Sequence, residues 1–381
     1  MIVRADRLGE TGESLSPLTT IAPAQWRELA DHAVEPNGYY LPEWKLAVNA
    51  SAKGRTDVSA LDAWIGAVGA RRLIALLPVI TLWRAYHLPL PALVSAHPYG
   101  TLTTPLLDRD MARDAIASLI GQARSAGARA LILRDMSLDG AAMKTITEVL
   151  AERGIPPRVL QSHSRACLDA TRDAEELLRE GLGAKKMKDL RRQRNRLADN
   201  GAVTFRVARS PDEVAAALEV FLALEASGWK ARRGTALAQD PGDAAFIRTA
   251  TKALAERQQC EIATLYVGDT PVAAAIVTRH LNRAFYFKLG IDERFAKYSP
   301  GVQLTLDITR HLCADPAIAS ADSTASAGHP MIDPIWRQRL TIGDVLIPLR
   351  QRDPFVGVIQ TALMLRFHAR KSLRRIVQAL R

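Results

Sequence analysis

Phe285-Tyr286-Phe287-Lys288-Leu289-Gly290-Ile291-Asp292, followed after a short loop by Tyr298-Ser299-Pro300-Gly301-Val302-Gln303, is the stretch on which the reading of this chain turns. The first part is rich in aromatic and apolar residues and reads as a strand. The second opens a helix expected from Gly301 to about Cys313, because a proline at the first helical position has its φ already set and its missing N–H is not needed there. Upstream, Glu261–Val267 and Val272–Arg279 are apolar runs parted by Gly268-Asp269-Thr270-Pro271, a hairpin signature. A turn at Leu281-Asn282-Arg283 leads into Ala284–Gly290, so three successive antiparallel strands feed the helix.

Around this core the C-terminal half reads as β-α-α-β-β-β-α-β-α-β. It begins with a strand at Val203–Val207, a helix opened by Ser210-Pro211-Asp212-Glu213 that runs to about Ala226, and a helix from about Gly242 to Arg257. It ends with a short strand near Ala319–Ser323, a helix near Ile332–Arg339 and a last strand near Val345–Leu349. The N-terminal half repeats the order in weaker form. Helices are expected near Pro23–Ala33, Pro42–Ala50, Arg109–Ala126 and Ala141–Arg153, and strands near Ala63–Val68, Leu73–Thr81, Ala130–Arg134 and Arg158–Leu160. The duplicated order implies two copies of one α/β (α+β) fold, each a mixed, mainly antiparallel sheet with flanking helices. The expected division is residues 1–173 for a first domain, 174–200 for a basic helical connector, 201–350 for a second domain and 351–381 for a basic C-terminal helix.

Composition narrows the class. Of 381 residues, 48% are hydrophobic and 24% charged, enough for two self-sufficient cores. Cys167, Cys260 and Cys313 are far apart and form no Cys-x-x-Cys pair, which argues for reduced structural thiols and against a disulfide framework or a metal site. The longest apolar run, Leu73–Trp83, is broken by Pro78 and is too short to span a bilayer. The first residues, Met1–Arg7, lack the apolar core of a secretion signal, so a cytoplasmic protein is expected. The net charge of +11 is localised: Lys185–Arg196 holds seven basic residues and one acid, and Phe355–Arg381 six basic residues and none. Two cationic segments on a nearly neutral chain do not make a general nucleic-acid binder. The first reads as a solvated helix or as a docking strip for an anionic donor or acceptor. The second reads as a packed helix with a cationic last turn or as an amphipathic helix in peripheral contact with a membrane.

Several motifs in sequence order resemble a known family. They are Lys188-Asp189-Leu190-Arg191-Arg192 leading to Leu197 and Gly201, Leu224-Glu225-Ala226-Ser227-Gly228-Trp229-Lys230 with Gly234-Thr235-Ala236-Leu237, the strand Phe285–Asp292, and Tyr298-Ser299-Pro300-Gly301. Together they resemble the GNAT acyltransferases described as BioF2-like or CelD/BcsL-like, relatives of the FemAB peptidyltransferases, over Lys185 to about Ile347 and only loosely before it. The resemblance implies tandem GNAT-like domains, acyl-coenzyme A or an acyl carrier protein as donor, no metal, and an amine on a sugar, polysaccharide precursor, lipid or amino acid as acceptor. The donor's phosphates would meet the helix start, where backbone N–H groups and the helix dipole favour an anion. This names Ser299, Gly301, Val302 and Gln303, with Lys288, Arg294 and Lys297 supplying charge. Where much of the family has a Tyr-Lys pair, this chain reads Gly328-His329-Pro330-Met331-Ile332-Asp333.

Acyl transfer to an amine needs a neutral amine, a polarised thioester carbonyl and a stabilised thiolate. Glu225, Asp322, His329 and Asp333 are the candidate bases, which family motifs place around one cleft, and Tyr298 or Lys288 could protonate the thiolate. Two rival readings stand beside this one: aminoacyl transfer from tRNA, as in FemAB proteins, and a non-catalytic scaffold at a membrane surface.

Overall fold

The computed structural model describes residues 15–67, 70–228 and 232–379, with the side chains of residue 371 and of residues 373–379 left aside. Trp229 and Lys230, two carriers of the resemblance, and the first seven residues fall outside the described residues. Among these residues the strands are β1 (Ser59–Ile65), β2 (Arg72–Thr81), β3 (Ala92–Ser95), β4 (Leu106–Leu107), β5 (Ala130–Ser137), β6 (Arg158–Asp169), β7 (Val203–Ala208), β8 (Cys260–Val267), β9 (Thr270–His280), β10 (Arg283–Ile291), β11 (Ser320–Asp322) and β12 (Gln338–Pro348). The helices are α1 (Pro23–Asp31), α2 (Pro42–Ser51), α3 (Leu82–Tyr86), α4 (Ala112–Ser125), α5 (Ala141–Glu152), α6 (Ala174–Ala198), α7 (Pro211–Ser227), α8 (Pro241–Ala255), α9 (Pro300–Cys313) and α10 (Pro354–Ala379).

All the strands join one sheet, in the order β1-β2-β3-β5-β12-β6-β11-β10-β9-β8-β7, with β4 beside β2. The duplication is visible in it. β1, β2 and β3 form an antiparallel meander whose last strand pairs in parallel with β5 across helix α4. β8, β9 and β10 do the same with β11 across α9. The strand expected to close the C-terminal half, near Val345–Leu349, is β12, and it lies inside the N-terminal half, between β5 and β6. Conversely β6, which runs well past the expected Leu160, pairs with β11 of the C-terminal half. Each copy is completed by the other's final strand. The apolar residues of β12 explain its place: Leu340, Ile342, Val345 and Ile347 belong to the first apolar core, which also holds residues of α1, α2, α4 and α5.

Local sequence sets the element ends. Helix α7 starts with a capping box, Ser210 accepting from the Glu213 N–H, and α8 with Asp240 accepting from the Gly242 and Asp243 N–H groups. The helix expected at Ile332–Arg339 is a series of turns instead, closed by the Asp333 N–H to His329 C=O and Trp336 N–H to Ile332 C=O bonds. Pro334 has no N–H to continue a helical ladder, and Ile332, Ile335 and Trp336 are drawn into the second core, where Trp336 Nε1 donates to Thr309 Oγ1 at 2.9 Å. The basic connector is α6, kinked at Gly183, whose φ of 73° suits glycine.

Candidate active site

β10 and β11 run together only over Arg283–Phe285 and Ser320–Asp322. Beyond Phe285 they diverge, because β10 carries a bulge between Tyr286 and Lys288, while the chain after β11 turns at Thr324 (φ 51°). Thr324 Oγ1 makes the last tie, donating to Tyr286 C=O at 2.7 Å. The gap is a cleft of about 360 Å³ lined by β10 from Tyr286 to Ile291, by Ser323–Ala325, and by His329, Met331 and Ile332.

The start of α9 stands at one end of this cleft. A Cβ on Gly301 would come within 2.9 Å of Leu289 Cδ2, 3.2 Å of Ile291 Cγ2 and 3.6 Å of Met331 Sδ, all on cleft-lining residues. Ser299, at the N-cap, is left-handed with φ 53°, and its side chain does not cap the helix; the first turn has no acid. The first N–H groups of a helix have no intrahelical partner, so this end is electropositive. The basic connector lies against it: Gln303, expected among the donor-binding residues, is buried and donates from Nε2 to Leu190 C=O of α6 at 2.8 Å. Val302 is half-buried against the second core. Lys185, Lys186, Lys188, Arg191, Arg192 and Arg196 on α6 are exposed, whereas Arg194 is tied to Asp307 at 2.8 Å.

Only some of the sequence candidates meet in the cleft. Lys288 and His329 line it. Glu225 lies buried beneath Lys288, accepting from Nζ at 3.1 Å with one oxygen and from the Leu237 N–H at 2.9 Å with the other. Asp322 is wholly buried; it accepts from Arg165, a residue of β6, and from the Thr324 N–H at 2.8 Å. Arg165 also holds Thr101 C=O and Oγ1, at 2.7 and 2.9 Å. Asp333 faces Arg339 at 3.5 Å. His329 Nδ1 has a 3.4 Å contact with the Met331 N–H. Tyr298 lies against the connector, receiving a 3.4 Å bond from Asn200 that, together with Lys297 over its ring, holds its hydroxyl below the usual tyrosine range. Arg294 grips Asp292 and projects into solvent.

The sequence reads the N-terminal half as a wall of the acceptor cleft without naming which of its residues stand near β10. Tyr39, Trp44 and Tyr99 pack with Phe246, Phe285 and Phe287 in one aromatic cluster, centroids 4.8 to 6.4 Å apart, behind β10. Lys288 Nζ stands 5.9 Å from the Tyr99 ring. Tyr99 Oη donates to Asp243 at 2.6 Å, joining that wall to α8. A charged residue, Arg165, just before the apolar Ala166-Cys167-Leu168 was the available signal for the buried ion pair.

A splayed pair of parallel strands ending at an uncapped helix start is the architecture of a GNAT acyltransferase, and residues 184–327 match the Acetyltransferase (GNAT) domain family. The chain therefore carries a GNAT acyltransferase domain, set in a doubled fold. That fold is similar to the crystal structure of FemX, with a TM-score of 0.59 and 11% identity, covering 89% of this chain and 98% of that one. It is similar also to the C-terminal DUF2156 domain of an Agrobacterium fabrum protein described as a lysylphosphatidylglycerol synthetase (0.54, 14%, 90% and 98%). A conserved protein of unknown function from Bacteroides thetaiotaomicron is a third such structure (0.55, 13%, 88% and 100%). Comparison with curated proteins gave no match.

Proposed function

We propose that the chain is an N-acyltransferase that takes an acyl group from acyl-coenzyme A in the β10/β11 cleft and passes it to an amine. The observation that carries this reading is the cleft itself, opening where the parallel pairing stops and ending near Gly301 on a helix start that no side chain caps. The thioester lies along the edge of β10, the pyrophosphate at Gly301 and Val302, and the exposed cations of α6 draw the donor's phosphates to that end. An acyl carrier protein, whose prosthetic arm ends in the same thioester chemistry, would present it to the same cleft.

Of the four candidate bases, His329 is the one lining the cleft, where an imidazole nitrogen can take the proton from an ammonium. Glu225, Asp322 and Asp333 are committed to Lys288, Arg165 and Arg339. The amine, freed of its proton by His329, attacks the thioester carbonyl; the C–N bond forms, the C–S bond breaks, and Lys288, held by Glu225, steadies the departing thiolate. A thermal-shift series with acyl-coenzyme A esters tests the donor. Stabilisation by at least one ester is expected, and none by any ester would overturn the reading.

The fold shared with the A. fabrum domain supports a second reading, aminoacyl transfer from tRNA, in which the same cleft holds an aminoacyl ester. It predicts stabilisation by a non-hydrolysable aminoacyl-tRNA end and none by coenzyme A.

A further inference from the structure

Helix α10 is packed on one side and bare on the other. Val356, Ile359 and Leu363 are buried against Leu82, Tyr86 and Ile132, and Phe367 reaches the Tyr86 ring, centroids 6.5 Å apart. At 100° per residue, Val358 and Leu365 point the opposite way, and they are 53% and 66% exposed, with Phe355 at 43%. The large exposed hydrophobic residues among the described ones are Trp83, Val159, Leu281, Phe355, Val358 and Leu365. All but Leu281 lie on α10 or on α3 and β6, which touch it through Tyr86 and through Arg158, whose guanidinium donates to Gln360 at 2.6 Å. Exposed apolar side chains gathered around one helix mark a contact surface.

The charge of the segment says what it contacts. From Phe355 to Arg381 the sequence has six basic residues and no acid. Two copies of this helix face to face would set cations against cations with no carboxylate between them, which is unfavourable. An apolar stripe on a helix rich in cations and free of acids is instead the pattern of a helix lying in the interface of an anionic bilayer, with a tryptophan at the headgroup level. Among the described residues no helix is long and apolar enough to cross a membrane, so the contact is along the surface.

We propose that α10, with Trp83 beside it, is a docking surface for anionic lipid bilayers. Flotation of the full chain with phosphatidylcholine vesicles, and with vesicles that also contain phosphatidylglycerol, tests it. The protein is expected to float with the mixed vesicles, to float less as salt is raised, and to stay behind with phosphatidylcholine alone. The double variant Val358→Ser/Leu365→Ser, at exposed positions, is expected to keep the wild-type melting temperature and to bind the mixed vesicles on the order of tenfold more weakly. Absence of binding to mixed vesicles at low salt overturns the proposal, as does binding that the double variant leaves unchanged. A dimer in solution that the same variant dissociates, without vesicle binding, would make the stripe a self-contact and likewise overturn it.

Discussion

The two copies of the fold differ most where they should be most alike, at the opening between the parallel strands. In the C-terminal copy β10 and β11 part after Phe285 and leave a cleft. In the N-terminal copy the corresponding gap after Val94 and Ile132 is stitched shut. Ser95 Oγ accepts from the Arg134 N–H at 2.8 Å and bonds Thr103 Oγ1 at 2.9 Å, Thr103 Oγ1 donates to Arg134 C=O, and the Thr103 N–H donates to Asp135 C=O. The helix starts differ in the same sense. At α4, Asp108 accepts from the Asp110 and Met111 N–H groups and Asp114 sits in the first turn, so the positive end is already answered by acids. At α9 it is not. One fold thus leaves a cleft beside an uncapped helix start in one copy and is closed in the other, and a handful of polar residues makes the difference.

The strongest way to break this comparison is at the seam. Arg165 and Asp322 pair across the exchanged strands, both wholly buried. Arg165→Met is expected to cost about 3–5 kcal/mol by stranding a buried carboxylate, read from the denaturant midpoint, with most of the loss regained when Asp322→Leu is added. If the single change costs nothing, the exchanged strands are not held together by this pair.

Next in size is the chemistry. His329→Ala is expected to lower acyl transfer by about a hundredfold or more while leaving coenzyme A affinity within error. Equal loss of both would make His329 a donor-binding residue and not a base.

The N-terminal copy has an electrostatic signature of its own. Lys45 is fully buried, Nζ has no hydrogen-bond partner, and burial, with Arg55 and Arg84 nearby, brings its pKa down from 10.5 to about 7. Between pH 7 and 10.5 the unfolded chain holds a proton that the folded chain has released, so folding stability rises with pH across that window and the cost is complete below it. Thermal melts should climb from pH 7 toward pH 10, and Lys45→Met should flatten that climb and stabilise the protein by about 2 kcal/mol at pH 6. A flat wild-type profile would mean that Lys45 finds a partner in solution.

The smallest effect is expected at the stitch. Thr103→Val removes the Ser95 and Arg134 bonds and should cost about 1 kcal/mol without altering acyl transfer, whereas a change in activity would give the N-terminal gap a catalytic part.

Much of this was legible in the residues because it is local. The hairpin at Gly268–Pro271, the capped helix at Ser210 and the Ser299-Pro300-Gly301 helix start follow from turn and cap chemistry, and all three stand where they were expected. The strand exchange was not legible, since nothing local in β6 or β12 chooses which sheet half each joins. The short strands β3 and β4 carry too few residues to show a period. The same limit applied to the site. Sequence named Glu225, Asp322, His329 and Asp333 together, but their partners Lys288, Arg165 and Arg339 are set by tertiary packing, and those partners separate the cleft residue from the ion pairs.

Calorimetric titration of coenzyme A into the full chain and into Gly301→Val probes the inequality of the two copies most directly. The side chain added at Gly301 would press on Leu289 and Ile291 and cover the helix start. A single site per chain, weakened about a hundredfold or more by Gly301→Val at an unchanged fold, is the expected result. Two sites per chain, or undiminished binding to Gly301→Val, would contradict it.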